Sequence, residues 1–173
     1  MLLCLSSLFS CDYELILLVK LLFSKSNMNY NGRKRYLKVS NVGGDYCRDG
    51  ADLILTDSGA TDSNEFTKYQ WEFIDSSSGS RRIRSVYCHQ LDSGVQYVLS
   101  PQGNACANDK KIILKPWTNH NNQKWLDASG TSSNGFVRFK GMSCNSKRIS
   151  VRDDTFESRL ELYDTQNSET VSL

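Results

Sequence analysis

The sequence predicts an all-β fold made of three copies of one strand unit, on three observations. Residues 71–75, 123–127 and 160–164 each place large apolar side chains two apart and close on an aspartate, as a half-buried strand entering a turn does. Each is preceded by a second shared segment: residues 35–40, 96–100 and 147–151. No stretch after residue 24 sustains the i, i+3, i+4, i+7 apolar spacing of a full helix.

The elements follow in order. Residues 21–29 stand in front of repeat one as the equivalent of a fourth strand. Repeat one then runs through strands at 35–40, 52–56, 71–75 and 82–87. Repeat two runs through 96–100, 111–115, 123–127 and 136–140, and repeat three through 147–151, 160–164 and 170–173. Turn residues separate fourth strands from the next first strands, as Asn31-Gly32, Asp92-Ser93-Gly94 and Asn145-Ser146. In this alignment Trp71, Trp125 and Leu162 are equivalent. Between Ile149 and Leu160 lie only 11 positions, against 28 from Tyr97 to Trp125, so repeat three is expected to have lost a loop and a strand.

One four-strand unit cannot bury its own apolar face, so three must pack about a common axis. A propeller needs at least four blades, and a sandwich does not generate threefold repetition. The prediction is a β-trefoil with three pseudo-repeats, the third truncated. Tyr36, Leu55, Trp71, Ile83, Tyr97, Leu114, Trp125, Phe136, Ile149, Leu160 and Leu162 are the expected core.

The 173 residues suit one domain, expected over 20–173, with 1–19 a leader or extension. Residues 1–10 form a short apolar run without a basic flank, and a second run at 15–23 contains Lys20. Neither has the roughly 18 apolar residues of a membrane span. A signal peptide cleaved near Ser10 or Cys11, a partly buried strand and a start at Met28 stay open. The expected location is therefore outside the cell if 1–10 is a signal, and the cytoplasm otherwise.

The net charge of +2 argues against a nucleic-acid module. Two histidines, His89 and His120, leave little room for acid–base or metal chemistry, and no cysteine pair has the C-x-x-C spacing of a zinc or redox site. No catalytic residue, metal or cofactor is assigned. Cys47 and Cys106 occupy corresponding loop positions, and Cys88 and Cys144 corresponding strand ends. Residues related by a threefold lie beyond the roughly 7 Å limit for bridging, so neither a 47–106 nor an 88–144 disulfide is expected.

Asn122, Gln123 and Trp125 resemble the Q-x-W signature of ricin-B-type β-trefoil lectins, and Gln70, Trp71 and Phe73 a common variant of it. The loops at 40–44 and 100–104, with His120 downstream, are similar to those of small mussel-type β-trefoil lectins, whose repeats carry a His-Pro-x-Gly-Gly loop and then an Asp-x-His loop. The resemblance covers roughly residues 20–173. It implies a non-catalytic lectin that binds glycans or glycoconjugates. The sequence departs from the pattern at Ser40 and Ser100, which stand where the histidines would be, and repeat three has no matching loop.

A shallow sugar site needs planar donors and acceptors for adjacent hydroxyls and close backbone approach. The candidates in repeat two are Ser100, Gly103, Asn104, Trp117, Asn119 and His120, with Trp117 a stacking platform or a packed rim residue. In repeat one they are Ser40, Gly43, Gly44 and Asp57. The arginines and lysines at 33–35, 81–84 and 147–148 recur at similar repeat positions, as solvated strand ends or as a basic rim for sulfated glycans. A trefoil that binds protein, such as a protease inhibitor or cytokine-like ligand, and a trefoil that has lost sugar binding are the alternatives. Nucleic acid and a membrane span are not expected partners; a homodimer is left open.

Overall fold

The computed structural model describes residues 24–25, 27–30, 33–40, 46–56, 67–128, 138–144, 147–151 and 158–164. Within them the chain is β throughout except for 3-10 turns and one short helix. Repeat one comprises β3 (Arg33–Val39), β4 (Ala51–Thr56), β5 (Gln70–Asp75) and β6 (Arg81–Ser85). Repeat two comprises β7 (Tyr97–Pro101), β8 (Lys110–Pro116), β9 (Trp125–Ala128) and β10 (Arg138–Gly141). Repeat three contributes β11 (Lys147–Val151) and β12 (Ser158–Asp164), and the chain begins with β1 (Ser24–Lys25) and β2 (Asn27–Tyr30).

The register makes the threefold explicit. First and second strands pair antiparallel in every repeat, with Leu37 opposite Leu55, Leu99 opposite Leu114 and Ile149 opposite Leu162. The second strands then pair with one another in a closed triangle: Ala51 with Leu114, Lys110 with Leu162, and Ser158 with Leu55. All six of those apolar first- and second-strand residues are buried in one cluster with Leu53, Ile83, Ile112 and Phe139. This is a β-trefoil.

Fourth strands pair with the following first strand, Arg84 with Val98 and Lys140 with Arg148. The N-terminal strands do the same for repeat one, with Asn27 opposite Tyr36. β1 meets β5 at Ser24 and Trp71, as β6 meets β9 at Arg81 and Trp125. The N-terminal segment therefore occupies the fourth-strand place of repeat three, as its position in the sequence alignment implies.

Four expectations need correction. Leu162 is equivalent to Leu55 and Leu114, not to Trp71 and Trp125, because β12 is a second strand rather than a third. From Ile149 to Leu162 is 13 positions, against 18 from Leu37 to Leu55 and 15 from Leu99 to Leu114. Among the described residues, repeat three keeps its first and second strands, so the loss expected between them is not found. The core residues of the first strands are Leu37 and Leu99, while Tyr36 and Tyr97 are half-buried. The strand expected over 82–87 ends at Ser85 and gives way to helix α1 (Val86–Leu91). There the Ser85 hydroxyl accepts from the Cys88 N–H at 3.3 Å, and Val86 and Cys88 turn into the core. The expected strand at 170–173 and the core places of Phe136 and Leu160 lie outside what is described.

Two tryptophans carry the pseudo-symmetry in their hydrogen bonds. Trp71 Nε1 donates to the Leu37 carbonyl at 3.1 Å, and Trp125 Nε1 to the Leu99 carbonyl at 3.2 Å. Both rings are fully buried, so each indole N–H needs such a partner. Two disulfides repeat in the same manner. Cys47 bonds to Cys88 and Cys106 to Cys144, with Cα separations of 5.3 and 5.2 Å. Each ties the loop between first and second strands to the chain just past the fourth strand of its own repeat, and neither joins threefold equivalents, as the sequence predicts.

The equivalence of the two indoles is measurable. Trp71→Phe and Trp125→Phe each leave a buried carbonyl one donor short and a small void. Each should cost about 2–3 kcal/mol. Urea denaturation should give the two variants losses within about 1 kcal/mol of each other. A neutral result for either would break the proposed equivalence.

Candidate functional site

The loops of repeat two are drawn together by one residue that the sequence reading assigned to the Q-x-W motif rather than to the site. Asn122 lies in a 3-10 turn, Asn121–Gln123, directly before β9. Its side chain is buried at 4% exposure. Asn122 Nδ2 donates to the Asn104 carbonyl at 2.8 Å, and Ser143 Oγ donates to Asn122 Oδ1 at 3.3 Å. His120 Nδ1 lies 2.5 Å from the same Oδ1. One amide thus joins the turn after β7, the loop after β8 and the chain after β10.

That arrangement selects a tautomer. A backbone carbonyl can only accept, so the Asn104 contact fixes Nδ2 on that side and Oδ1 toward His120. Nδ1 must then carry the proton and donate. The Asn122 N–H, 3.5 Å from Nδ1, could bond only to the other tautomer, and the much shorter contact to Oδ1 decides against it. In the neutral ring the remaining lone pair is on Nε2, on an exposed side chain. His120 is thereby held to present an acceptor.

The neighbours on the surface are polar and conformationally set. Gly103 and Asn104 take left-handed φ of 68° and 54°, and Asn119 takes 61°. Glycine enters this region freely and asparagine more readily than most residues. Gly103, Asn104, Asn119 and His120 are all exposed. Gln123, next to Asn122, faces inward: its Oε1 accepts from the Thr118 N–H at 2.8 Å and its Nε2 donates to the Pro116 carbonyl at 2.7 Å. The glutamine of Q-x-W is a strut for this loop.

Trp117 stands apart from the asparagine–histidine group. Its backbone N–H donates to the Gln96 carbonyl at 2.7 Å, at the start of β7, whereas Asn104 lies past that strand's end. Its half-buried ring carries the Arg82 guanidinium 4.9 Å from the centroid. Two other candidates move inward. Ser100 is 0% exposed within β7, and Ser40 is buried with its N–H donating to the Asp52 carbonyl at 2.8 Å. Both fall within the lectin-like loop motif of the sequence. Each follows directly on a core residue, Val39 or Leu99, and is itself covered, so neither hydroxyl is open to a ligand. Gly43, Gly44 and Asp57 lie outside the described residues.

In repeat one the register sets Lys68 opposite Asn122 and Tyr69 opposite Gln123, counting back from the equivalent tryptophans. Lys68 Nζ lies 4.8 Å from the Tyr46 ring centroid and 5.8 Å from that of Tyr87. The amide junction of repeat two is thus replaced by a cation between aromatic rings. Among the described residues there is no cluster of His, Cys, Asp and Glu able to hold a metal.

No protein-family model matches the chain, and no curated protein matches it. Solved structures do. A designed threefold-symmetric protein, ThreeFoil, superposes with a TM-score of 0.66 at 14% identity, over 84% of this chain and 94% of that one. The exo-β-1,3-galactanase 1,3Gal43A of Clostridium thermocellum gives 0.64 at 16% identity, over 87% of this chain but only 29% of the enzyme. The C-half of an earthworm R-type lectin, solved in complex with GalNAc, gives 0.51 at 12% identity, over 85% of this chain and 99% of that one. At such identities the likeness is one of fold, and the fold shared is the β-trefoil.

Proposed function

We propose that this chain is a non-catalytic carbohydrate-binding protein that recognises glycans through the loops of repeat two. The observation that carries the reading is the Asn104–Asn122–His120 junction. A buried amide fixes an exposed imidazole as an acceptor beside the exposed side chains of Asn104 and Asn119. Sugar hydroxyls are paired donors and acceptors on a rigid ring, and a preset array of this kind is complementary to them. Gly103 lets the turn approach a ring closely. Trp117 adds a flat apolar surface farther along the same loop. The earthworm lectin of the same fold, solved with GalNAc, supports a sugar as the ligand. Gly43, Gly44 and Asp57 would form a second and weaker site in repeat one, since single sites of this type gain strength by multiplicity. The reading assigns no catalytic residue, metal or cofactor.

His120→Ala tests this directly. Removing one hydrogen-bond partner of a bound sugar costs about 1–3 kcal/mol, or roughly five- to 150-fold in affinity. Binding on a glycan array should fall below detection, while stability falls by only about 1 kcal/mol, because Ser143 still donates to the Asn122 oxygen. If His120→Ala binds as the parent does and Asp57→Ala abolishes binding, the site lies in repeat one.

The disulfides give a second test with an internal control. Cys106 lies two residues after Asn104, and Cys144 follows Ser143, so this bond ties together two of the segments that hold Asn122. Cys47–Cys88 is its counterpart in repeat one. Each closes a loop of similar length, with sequence separations of 41 and 38, worth about 4 kcal/mol in the chain-entropy account. Cys47→Ser/Cys88→Ser and Cys106→Ser/Cys144→Ser should therefore lose similar stability. At a temperature where both remain folded, only the second should bind glycan more weakly. Equal binding by both would detach the bond from the site.

A further inference from the structure

We propose that Arg82 and Trp117 form a subsite for an acidic substituent, a sulfate ester or a carboxylate, on the glycan held by the repeat-two loops. The proposal rests on the repeat-two reading and extends it to a class of ligand.

It begins with charge pairing on β6. Three arginines lie in this strand, and two are neutralised. Arg84 donates to Glu72 Oε2 through Nε at 3.0 Å and through Nη2. Arg81 lies 3.3 Å from Asp75 Oδ1 and 3.6 Å from Asp127 Oδ2. Arg82 has no carboxylate partner among the described residues. Its cross-strand neighbour is Ile74, and its Nε is buried without a hydrogen bond. Burial, and then the like charge of Arg84, pull its ionisation below the ordinary arginine value against a smaller opposing effect of Glu72. The side chain stays charged even so, since arginine does not lose its proton in proteins. The fold thus holds a half-buried guanidinium that no carboxylate pairs with among the described residues.

What fixes it is Trp117, with the guanidinium carbon 4.9 Å from the ring centroid. An aromatic ring engages the face of a guanidinium and leaves its in-plane N–H groups free for a bidentate oxyanion. Only Thr118 and Asn119 lie between Trp117 and His120, a reach of about 10 Å at most along the chain. A sugar at His120 can therefore place a substituent, or its next residue, over Trp117.

The test uses the full chain with isotope-labelled indole and guanidinium N–H groups, titrated with the sulfated, uronic and neutral forms of one disaccharide and with sodium sulfate at matched ionic strength. The Trp117 and Arg82 resonances should shift saturably with the acidic forms, which should bind about tenfold more tightly than the neutral one. Arg82→Gln should erase that preference, Arg82→Lys should restore part of it, and Lys110→Gln, with the same loss of net charge, should leave it intact. Neutral and acidic forms binding equally, with His120 still required, would overturn the subsite and leave the repeat-two reading standing. Arg82-dependent binding that ignores His120→Ala would overturn the repeat-two reading instead. Sodium sulfate matching the acidic disaccharides in affinity would mean a free anion is recognised, and the glycan assignment would fall.

Discussion

The closed triangle of β4, β8 and β12 is the constraint from which the rest of the structure follows. Each of these strands pairs with both others and also with the first strand of its own repeat. A strand so engaged has little freedom in register, because a slip by one residue would turn Leu55, Leu114 or Leu162 out of the core. The three leucines are fully buried, and their common environment holds the pseudo-threefold despite low similarity between the repeats. Variation is displaced to the loops, where backbone groups meet water and insertions are tolerated.

The three repeats are not equally reinforced. Repeats one and two each have an indole-to-carbonyl bond and a loop disulfide. For repeat three, the residue in register with Cys47 and Cys106 is Asp154, so the sequence has no third copy of the bridge. Its fourth-strand place is taken by β1 and β2 from the other end of the chain, through pairing with β5 and β3. The trefoil is thus closed by backbone ladders where the covalent and indole ties stop.

The sequence made the repeat, the strand class and most of the core legible, since alternation of apolar residues survives divergence. It could not distinguish a second strand from a third. Residues 160–164 alternate and end on aspartate, as residues 71–75 and 123–127 do, and only the pairing partners show that β12 belongs with β4 and β8. Ser100 differs for a related reason: the loop motif overlaps the strand before it, and both faces of β7 are covered at that end. Asn122 escaped notice as a site residue because its role depends on contacts with residues 18 and 21 positions away, which no local pattern encodes. The basic residues at 81–84 were visible as a cluster. That carboxylates neutralise Arg81 and Arg84 but not Arg82 depends on cross-strand placement.

The N-Q-x-W run of repeat two shows how a structural signature and a binding loop occupy the same residues. Asn122, Gln123 and Trp125 each donate a side-chain hydrogen bond to a backbone carbonyl, those of Asn104, Pro116 and Leu99. The three acceptors belong to the turn after β7, the end of β8 and the middle of β7, so four residues of chain are fastened at three separate points. Their burial shields the bonds from water and raises the cost of breaking any one. Asn119 and His120 then project from a segment whose own flexibility has been removed, and less entropy is lost when a ligand orders them. In repeat one the tryptophan bond is kept while Lys68 and Tyr69 stand in for the asparagine and glutamine. The barrel is anchored there as firmly, but the amide struts that hold the loop in repeat two are absent from those positions. Fold and recognition separate at this point in the sequence: the tryptophan serves the barrel in both repeats, and the asparagine and glutamine before it set the loop in only one.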